Sequence, residues 1–338
     1  MPPETLVALV VLIALVVYVL TGGADYGGGI WDLLARGPRA RAQRAAIDHA
    51  IGPIWEANHV WLILVVVVLF TAFPPAFAVM MTALHVPVTL VLLGVVFRGS
   101  AFAFRKYDPA GDRASRRWGT VFGVASMLTP FFLGITLGGL ASGAIRVEAG
   151  LVTTGFWVGW TAPFALTCGL FAQALFAFLA AVYLTIDAEG NPAVQDDFRR
   201  RALAAGVVLA PLAGTVFVLA RAGAPTIFRG LTDWWAPLLL LATSVCALGA
   251  LGALWARWFR LARVAAAGQV ALILVGWALA QYPYLVVPDV TVSSAATPAT
   301  TLWWLLAALA LGAALLLPAF AYLFYVFRRA EATRPERP

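Results

Sequence analysis

Long apolar segments separated by short polar ones make up most of the chain. About nine of these segments reach the roughly 17–25 residues that an α-helix needs to cross the hydrocarbon core of a bilayer. Strands of a soluble core are much shorter than this, so the segments are interpreted as membrane-spanning helices. The predicted spans are 5–34, 50–72, 76–98, 118–140, 154–186, 202–221, 236–256, 262–281 and 301–327.

This pattern predicts an all-α integral membrane protein in which residues 1–338 form a single membrane domain. Helices 1–4 and 5–8 each begin with a long helix that ends near a carboxylate, so a pseudo-two-fold repeat of four helices is left open. The composition supports the class, because 62% of the residues are hydrophobic and 12% are charged. An ordinary soluble chain carries about a quarter charged residues.

The positions of the basic residues predict the orientation of the helices. Lys and Arg collect in cytoplasmic loops next to helix ends. With an outer N-terminus, only Arg146, Arg221 and Arg229 of the 23 basic residues fall in outer segments. The others fall in inner loops and in a basic tail at 328–338, which places the C-terminus in the cytoplasm. The net charge of +7 then reflects these loops and not a nucleic-acid-binding surface, which clusters basic residues on a soluble face.

Two carboxylates interrupt the apolar pattern near the start of the chain. Asp25 lies in a segment with five glycines, 22–29, which predicts a break in helix 1, and Glu56 lies near the start of helix 2. A charged side chain at bilayer depth costs roughly 2.5–3.5 kcal/mol, so it usually faces the protein interior or water and marks a functional site. The helical rise places Glu56 about 8 Å into helix 2, and Asp25 at a similar depth near the cytoplasmic side.

The residues around Glu56 admit four interpretations. His59 shares a helix face with Glu56, whereas Asn58 points nearly opposite. Carboxylates and imidazole at a wet boundary can relay protons, a Glu-x-x-His unit can form half of a di-iron site, and a broken helix can hold a transporter's ion. The groups can also simply hold helices 1 and 2 together. The metal interpretation is the least favoured, because the chain has three histidines and one such unit.

Other polar residues indicate less about the function. Asp32 follows Asp25 by seven residues and shares its face if the helix continues. Arg98 and Arg105 are expected to extend toward the membrane interface, with their charged ends in water. Cys168 and Cys246 both lie in predicted spans, which argues against a disulfide framework or an iron–sulfur cluster.

Three short motifs resemble subunit II of the cytochrome bd-type terminal quinol oxidases. They are Gly-Ala-Asp-Tyr-Gly-Gly-Gly at 23–29, Ile-Gly-Pro-Ile-Trp-Glu-Ala-Asn-His-Val-Trp-Leu at 51–62 and Phe-Arg-Gly at 97–99. The usual family patterns are Asp-Gly-Phe-Asp-x-Gly-x-Gly and Trp-Asp-Gly-Asn-x-Val-Trp-Leu. Here Gly22 replaces the first Asp, and Glu56 replaces the Asp of the second pattern. These departures resemble the branch that is called cyanide-insensitive.

The resemblance implies a nine-helix subunit in the bacterial cytoplasmic (inner) membrane, paired with a haem-bearing subunit I. It implies that subunit I carries two b haems, haem d and the quinol-oxidation loop, while this chain ligates no haem and no metal. Quinol and oxygen would be the substrates of the complex. The resemblance is also compatible with a bound quinone or lipid and with a small single-helix accessory subunit in the complex.

Within such a complex, Asp25 is expected to admit protons from the cytoplasm and Glu56 to carry them on, toward reduction of oxygen to water. The residues expected to orient or support this path are Trp55, Asn58, His59, Trp61, Asp32 and Arg98. The alternative is a stand-alone secondary transporter that uses a broken first helix as its gate. A structural scaffold for a catalytic partner is a third interpretation.

Overall fold

A computed structural model describes residues 1–52, 55–107 and 112–332, without the side chains of 55–57, 105–107, 112–116, 317, 320, 321 and 323–332. The described residues form twelve helices and two short hairpins. In chain order they are α1 (Pro3–Leu33), α2 (Ala40–Ile51), α3 (Trp55–Ala72), α4 (Pro74–Ala83), α5 (His85–Tyr107), α6 (Asp112–Ala141), β1 (Val147–Glu148), β2 (Leu151–Val152), α7 (Pro163–Asp187), α8 (Pro192–Gly223), α9 (Pro225–Gly230), α10 (Ala236–Trp255), α11 (Phe259–Gln281), β3 (Tyr284–Val286), β4 (Val290–Thr291) and α12 (Ala299–Ala332).

The predicted all-α membrane class is confirmed. Eight of the described helices are long and apolar enough to cross a membrane, and α3 and α4 supply a ninth if they are counted as one span. The long helices alternate in direction along the chain. Consequently the N-terminus and both hairpins lie at one end of the bundle, here called the hairpin end, and α2 lies at the other, here called the α2 end.

Several predicted boundaries were wrong. The span expected at 76–98 is instead a short α4, bent by 118° from α3, followed by α5 from His85. Two prolines, Pro74 and Pro75, start α4, because proline favours the first turn of a helix and cannot continue one. The span expected at 154–186 begins at Pro163, after a loop in which Gly159 has a φ of 91°.

The polar segments also contain more helix than expected. The inner loop at 36–48 contains most of α2, an amphipathic helix that buries Gln43, Ile47 and Ile51 on one face. The helix predicted at 202–221 begins at Pro192, where Asn191 accepts a hydrogen bond from the Val194 amide as an N-cap. The tail predicted at 328–338 is helical as far as Ala332.

Helix α1 is continuous from Pro3 to Leu33, so the predicted break at its glycines was wrong. The glycines instead allow neighbouring helices to approach closely. A Cβ atom at Gly27 would overlap the backbone carbonyl of Phe176 in α7, and one at Gly29 would overlap the Ser126 hydroxyl in α6. Small residues commonly allow such close packing between membrane helices.

The main core lies where α1 and α7 meet α8, α10 and α11. Its fully buried side chains include Tyr18, Tyr26, Phe178 and Leu179. At the hairpin end, β1 pairs with β2 and β3 with β4, both antiparallel. The two hairpins are joined by Asp289, which accepts hydrogen bonds from Arg146 Nε at 2.9 Å and from the Val147 amide at 2.8 Å.

Candidate functional site

A buried ion pair joins α1 to α5 through Asp25 and Arg98. Arg98 Nη1 donates to Asp25 Oδ2 at 2.8 Å, while Nη2 donates to Asp25 Oδ1 and, at 3.2 Å, to the Asp25 carbonyl oxygen. The side chains are 2% and 1% exposed for Arg98 and Asp25, respectively. A planar guanidinium matches a carboxylate in this two-point geometry. The two charges therefore neutralise each other inside the bundle.

Arg98 also contacts α6 and two aromatic rings. Its Nε donates to Ser126 Oγ at 3.0 Å, and its guanidinium carbon lies 4.8 Å from the ring centroids of both Tyr26 and Phe122. A guanidinium near an aromatic ring face gains a further electrostatic attraction. Arg98 thus fixes α1, α5 and α6 together.

The expectation that Arg98 extends to the membrane interface was wrong. The guanidinium is buried because Asp25 supplies an opposite charge and Ser126 an acceptor in the interior. The side chain of Arg105, which was expected to share that role, lies outside the described residues.

Two buried tyrosines extend this polar group along α1 toward the hairpin end. The Tyr18 hydroxyl donates to the Tyr26 hydroxyl at 3.4 Å, and both residues are almost fully buried. Sequence reasoning missed Tyr18, Ser126 and the role of Tyr26. Tyr26 directly follows Asp25, which was an available signal, whereas nothing in the local sequence marks Ser126.

Polar contacts also cover the α2 end of α1. Asp32 is buried, and Arg44 Nε of α2 lies 3.8 Å from its Oδ1. Trp31 Nε1 donates to the Ala177 carbonyl oxygen of α7 at 2.8 Å. Because α1 is continuous, Asp25 and Asp32 lie on one helix two turns apart, with α2 packed near Asp32.

A second network fastens α2 to α8. Asp197 accepts hydrogen bonds from Arg39 Nε and Nη2, each at 2.7 Å, and from Gln43 Nε2 at 2.7 Å. Gln43 Oε1 in turn accepts one from Arg201 Nη2 at 2.7 Å. The amphipathic helix α2 is therefore held against the bundle by charged and amide groups as well as by its apolar face.

The residues predicted on α3 are only partly described. Asn58 is 1% exposed, and neither atom of its amide has a hydrogen-bond partner in the described part of the chain. His59 and Trp61 are half-buried, and Trp61 packs against the main core. The side chains of Trp55 and Glu56 lie outside the described residues. The backbone of α3 packs along α1.

The described histidines are dispersed along the bundle and belong to no metal-binding group. Within 1–52, 55–107 and 112–332, no group of three or more His, Cys, Asp and Glu residues could hold a metal ion. His85 lies at the hairpin end, where its Nδ1 is 3.0 Å from the Thr82 carbonyl oxygen and its ring packs against Phe156. His49 and His59 lie near the α2 end. The three histidines therefore lie at both ends of the bundle and do not cluster.

These features define a polytopic helical membrane protein with a buried ion pair at the junction of three helices. The family model described as cytochrome bd terminal oxidase subunit II matches residues 3–327. The chain therefore belongs to the family of cytochrome bd terminal oxidase subunit II.

Individual relatives agree with this assignment. The chain is 25% identical over 338 residues to the putative cytochrome bd menaquinol oxidase subunit II of Bacillus subtilis (strain 168), with 96% of each protein covered. It is 28% identical over 187 residues to the cytochrome bd-I ubiquinol oxidase subunit 2 of Escherichia coli (strain K12), covering 54% of this chain and 48% of that one. A solved structure of bd oxidase from Geobacillus thermodenitrificans has the same fold, with a TM-score of 0.76, 21% identity, and coverage of 97% of this chain and 99% of that one.

The chain is thus a subunit of a membrane-bound terminal oxidase, located in a bacterial cytoplasmic (inner) membrane. Membership in the family implies a subunit I partner and haem within the complex. The transporter alternative loses its structural basis, because α1 has no break that could act as a gate.

Proposed function

We propose that this chain is the non-haem subunit of a quinol:oxygen oxidoreductase and that it supplies protons from its α2 end to oxygen reduction. The haems, the quinol-oxidation loop and the oxygen-reducing centre are assigned to subunit I. The observation that supports this proposal is the buried ion pair, because it joins two of the motifs that resemble the family, 23–29 and 97–99, at the side of α1. The putative menaquinol and ubiquinol oxidase names of the relatives support a quinol as the electron donor.

A proton path needs groups that can both bind and release protons. Reduction of oxygen to water consumes protons at a site that excludes bulk water, so they must travel through the protein. Glu56 is proposed as the carrier, because a carboxylate in a membrane-spanning segment can exchange protons if its environment brings its pKa near the working pH. Asn58 and His59 lie two and three residues after Glu56 on α3, respectively. They are proposed to orient Glu56 and bound water, together with Trp55 and Trp61.

Asp25 has a different environment from the one that a proton entry requires. Its carboxyl is 1% exposed and bound at both oxygens by Arg98. As an entry point, it would have to take up a proton while giving up those bonds. The structure therefore supports a second role, in which Asp25 and Arg98 form a fixed neutral unit that positions α1, α5 and α6 beside the path. Its role as the entry stays a prediction, with Asp32 and Arg98 as supporting groups.

The test uses the whole complex purified gently through a tag on this chain. A reduced-minus-oxidised visible spectrum gives the haem content, and a gel shows whether a larger partner is present. Oxygen consumption per haem is then compared for the wild type, Glu56→Gln, and Glu148→Gln as a matched control on the exposed β1 strand. We expect the Glu56→Gln complex to be assembled and haem-replete but slowed roughly 10-fold or more, because the amide cannot carry a proton.

Three results would contradict parts of the proposal. A colourless preparation without a partner would contradict the oxidase assignment. Unchanged turnover of Glu56→Gln would remove Glu56 from the path and favour the scaffold interpretation. A haem-replete Asp25→Asn complex with full turnover would exclude Asp25 as the proton entry, and its pairing role is then decided by the stability of the complex.

A further inference from the structure

A groove of about 300 Å³ opens at the α2 end, and it shares no residue with the site described above. It lies between the end of α7, the start of α8 and the turn from α10 to α11. Its polar lining includes Glu189, Gln195, Arg257 and Arg260, and Trp258 closes one side. The groove therefore combines both signs of charge with an aromatic ring.

One wall of the groove is held by an unusual backbone conformation. Arg257 has a φ of 61°, and the turn is closed by a hydrogen bond from the Trp258 amide to the Ala253 carbonyl oxygen at 2.7 Å. This position after a helix usually carries glycine, because other residues are strained there. The Arg257 side chain is fixed in turn, since its Nη2 donates to Asp196 Oδ1 at 3.0 Å.

The opposite wall is fixed by side chain to backbone contacts. Gln195 Nε2 donates to the Thr185 carbonyl oxygen at 2.7 Å, which ties the first turn of α8 to the end of α7. Glu189 projects from the short connection between these two helices. The two walls thus belong to different helix pairs, and the groove between them is a feature of the folded bundle.

Two charges in the groove are unpaired within the described part of the chain. Arg260 and Glu189 are both exposed and form no ion pair with another described residue, whereas Arg257 is paired with Asp196. Arginine binds phosphate oxygens through its planar N–H groups. A carboxylate pairs with a primary ammonium group. A ligand that carries a phosphodiester next to an ammonium would satisfy both charges at once.

The surroundings of the groove point to a membrane lipid as the source of that chemistry. Trp255 and Trp258 are 75% and 65% exposed beside the groove, as expected for tryptophans at the level of lipid headgroups. Along α11, the exposed side chains of Leu261 and Val264 continue from the groove into the apolar part of the bundle surface. An acyl chain could follow these residues while the headgroup stays in the groove.

We propose that this groove binds a phospholipid with a primary-amine headgroup. The phosphodiester lies against Arg260 and Arg257, and the ammonium lies against Glu189. The proposal does not depend on the proton path, because the groove contains none of the residues assigned to it.

The test measures lipids that remain bound to the purified oxidase complex. The complex is stripped of lipid, incubated separately with phosphatidylethanolamine, phosphatidylglycerol or phosphatidylcholine, and examined by native mass spectrometry. We expect the wild type to retain phosphatidylethanolamine best. Arg260→Gln should lower its retention by about 10-fold, as expected for loss of a charged hydrogen bond. Glu189→Gln should remove the preference over phosphatidylglycerol but keep phosphate binding.

Matched controls separate this site from general lipid binding. Arg221→Gln changes an exposed arginine at the hairpin end and should leave retention unchanged, and haem content and oxygen consumption show that each complex is intact. Equal retention in the wild type and Arg260→Gln would overturn the proposal, as would a wild-type preference for phosphatidylglycerol. Equally tight binding of soluble glycerophosphoethanolamine would show that the groove is a site for free phosphate esters and not for lipid.

Discussion

At the scale of single residues, Arg98 lies where three helices meet. Its guanidinium binds Asp25 of α1, donates to Ser126 of α6 and packs against Tyr26 and Phe122, while its own backbone belongs to α5. The buried guanidinium of Arg98 is stable in this position only while Asp25 and Ser126 compensate for its lost hydration. Removal of one member of a buried ion pair leaves the other without compensation, which usually costs more than the pair contributes.

A double-mutant cycle tests this argument. Asp25→Asn and Arg98→Gln alone should each destabilise the complex by about 3–5 kcal/mol, because each leaves one buried charge unpaired. The double variant Asp25→Asn/Arg98→Gln should lose less than the sum, because both charges are then gone. Thermal unfolding of the purified complex, with haem content as a measure of assembly, gives the three values.

The Arg146–Asp289 pair, whose arginine is exposed at the surface, supplies the control for that cycle. Its arginine side chain is 57% exposed, so the same Asn and Gln substitutions there should cost no more than about 1 kcal/mol. Strictly additive losses at Asp25 and Arg98 would show that the two residues act independently, and the proposed neutral unit would be wrong.

The sequence revealed the candidate residues but not their pairing. Asp25 was identifiable because a carboxylate in an apolar segment is costly and therefore informative. Arg98 was misassigned because its position near a helix end is equally typical of an arginine that extends to the interface. The two residues are 73 positions apart, and their contact depends on how α1 and α5 pack. No local pattern specifies that packing.

At the scale of elements, the glycines of α1 also show that local sequence does not specify how helices pack. Five glycines in eight residues are compatible with a broken helix and with a helix that others approach closely. The choice depends on what lies opposite them, and Gly27 faces the backbone of α7 while Gly29 faces Ser126 of α6. The apolar lengths, in contrast, predicted most spans well, because bilayer thickness constrains them directly.

Replacement of Gly27 tests whether close packing is the reason for the glycine. Gly27→Ala should destabilise the complex by about 1–3 kcal/mol, because the added methyl group would force α1 away from the Phe176 carbonyl. Gly214→Ala in α8 is the matched control, since its Cβ would meet no atom within 4 Å. That variant should be neutral or slightly more stable, because alanine favours the helix. Equal thermal unfolding midpoints for both variants would contradict the packing explanation.

At the scale of the whole molecule, the charges at the two ends of the bundle predict its orientation in the membrane. The α2 end carries Arg36, Arg39, Arg41 and Arg44 within one short segment, and the loop between α6 and α7 at the hairpin end carries Arg146 alone. Basic residues near helix ends are retained on the cytoplasmic side. This asymmetry predicts that the α2 end, the proposed proton uptake and the lipid groove all face the cytoplasm.

Accessibility of single cysteines measures this orientation directly. Cys168 and Cys246 are first replaced by serine, and then Ala149→Cys in the β1–β2 turn is compared with Ala45→Cys on α2, both at exposed positions. A membrane-impermeant thiol reagent should label Ala149→Cys in intact cells, and Ala45→Cys only after the membrane is opened, because the two ends lie on opposite sides. The reverse pattern would place the α2 end outside, and a proton path that starts there could not draw on the cytoplasm. Labelling of both cysteines in intact cells would contradict a bundle whose two ends are separated by the bilayer.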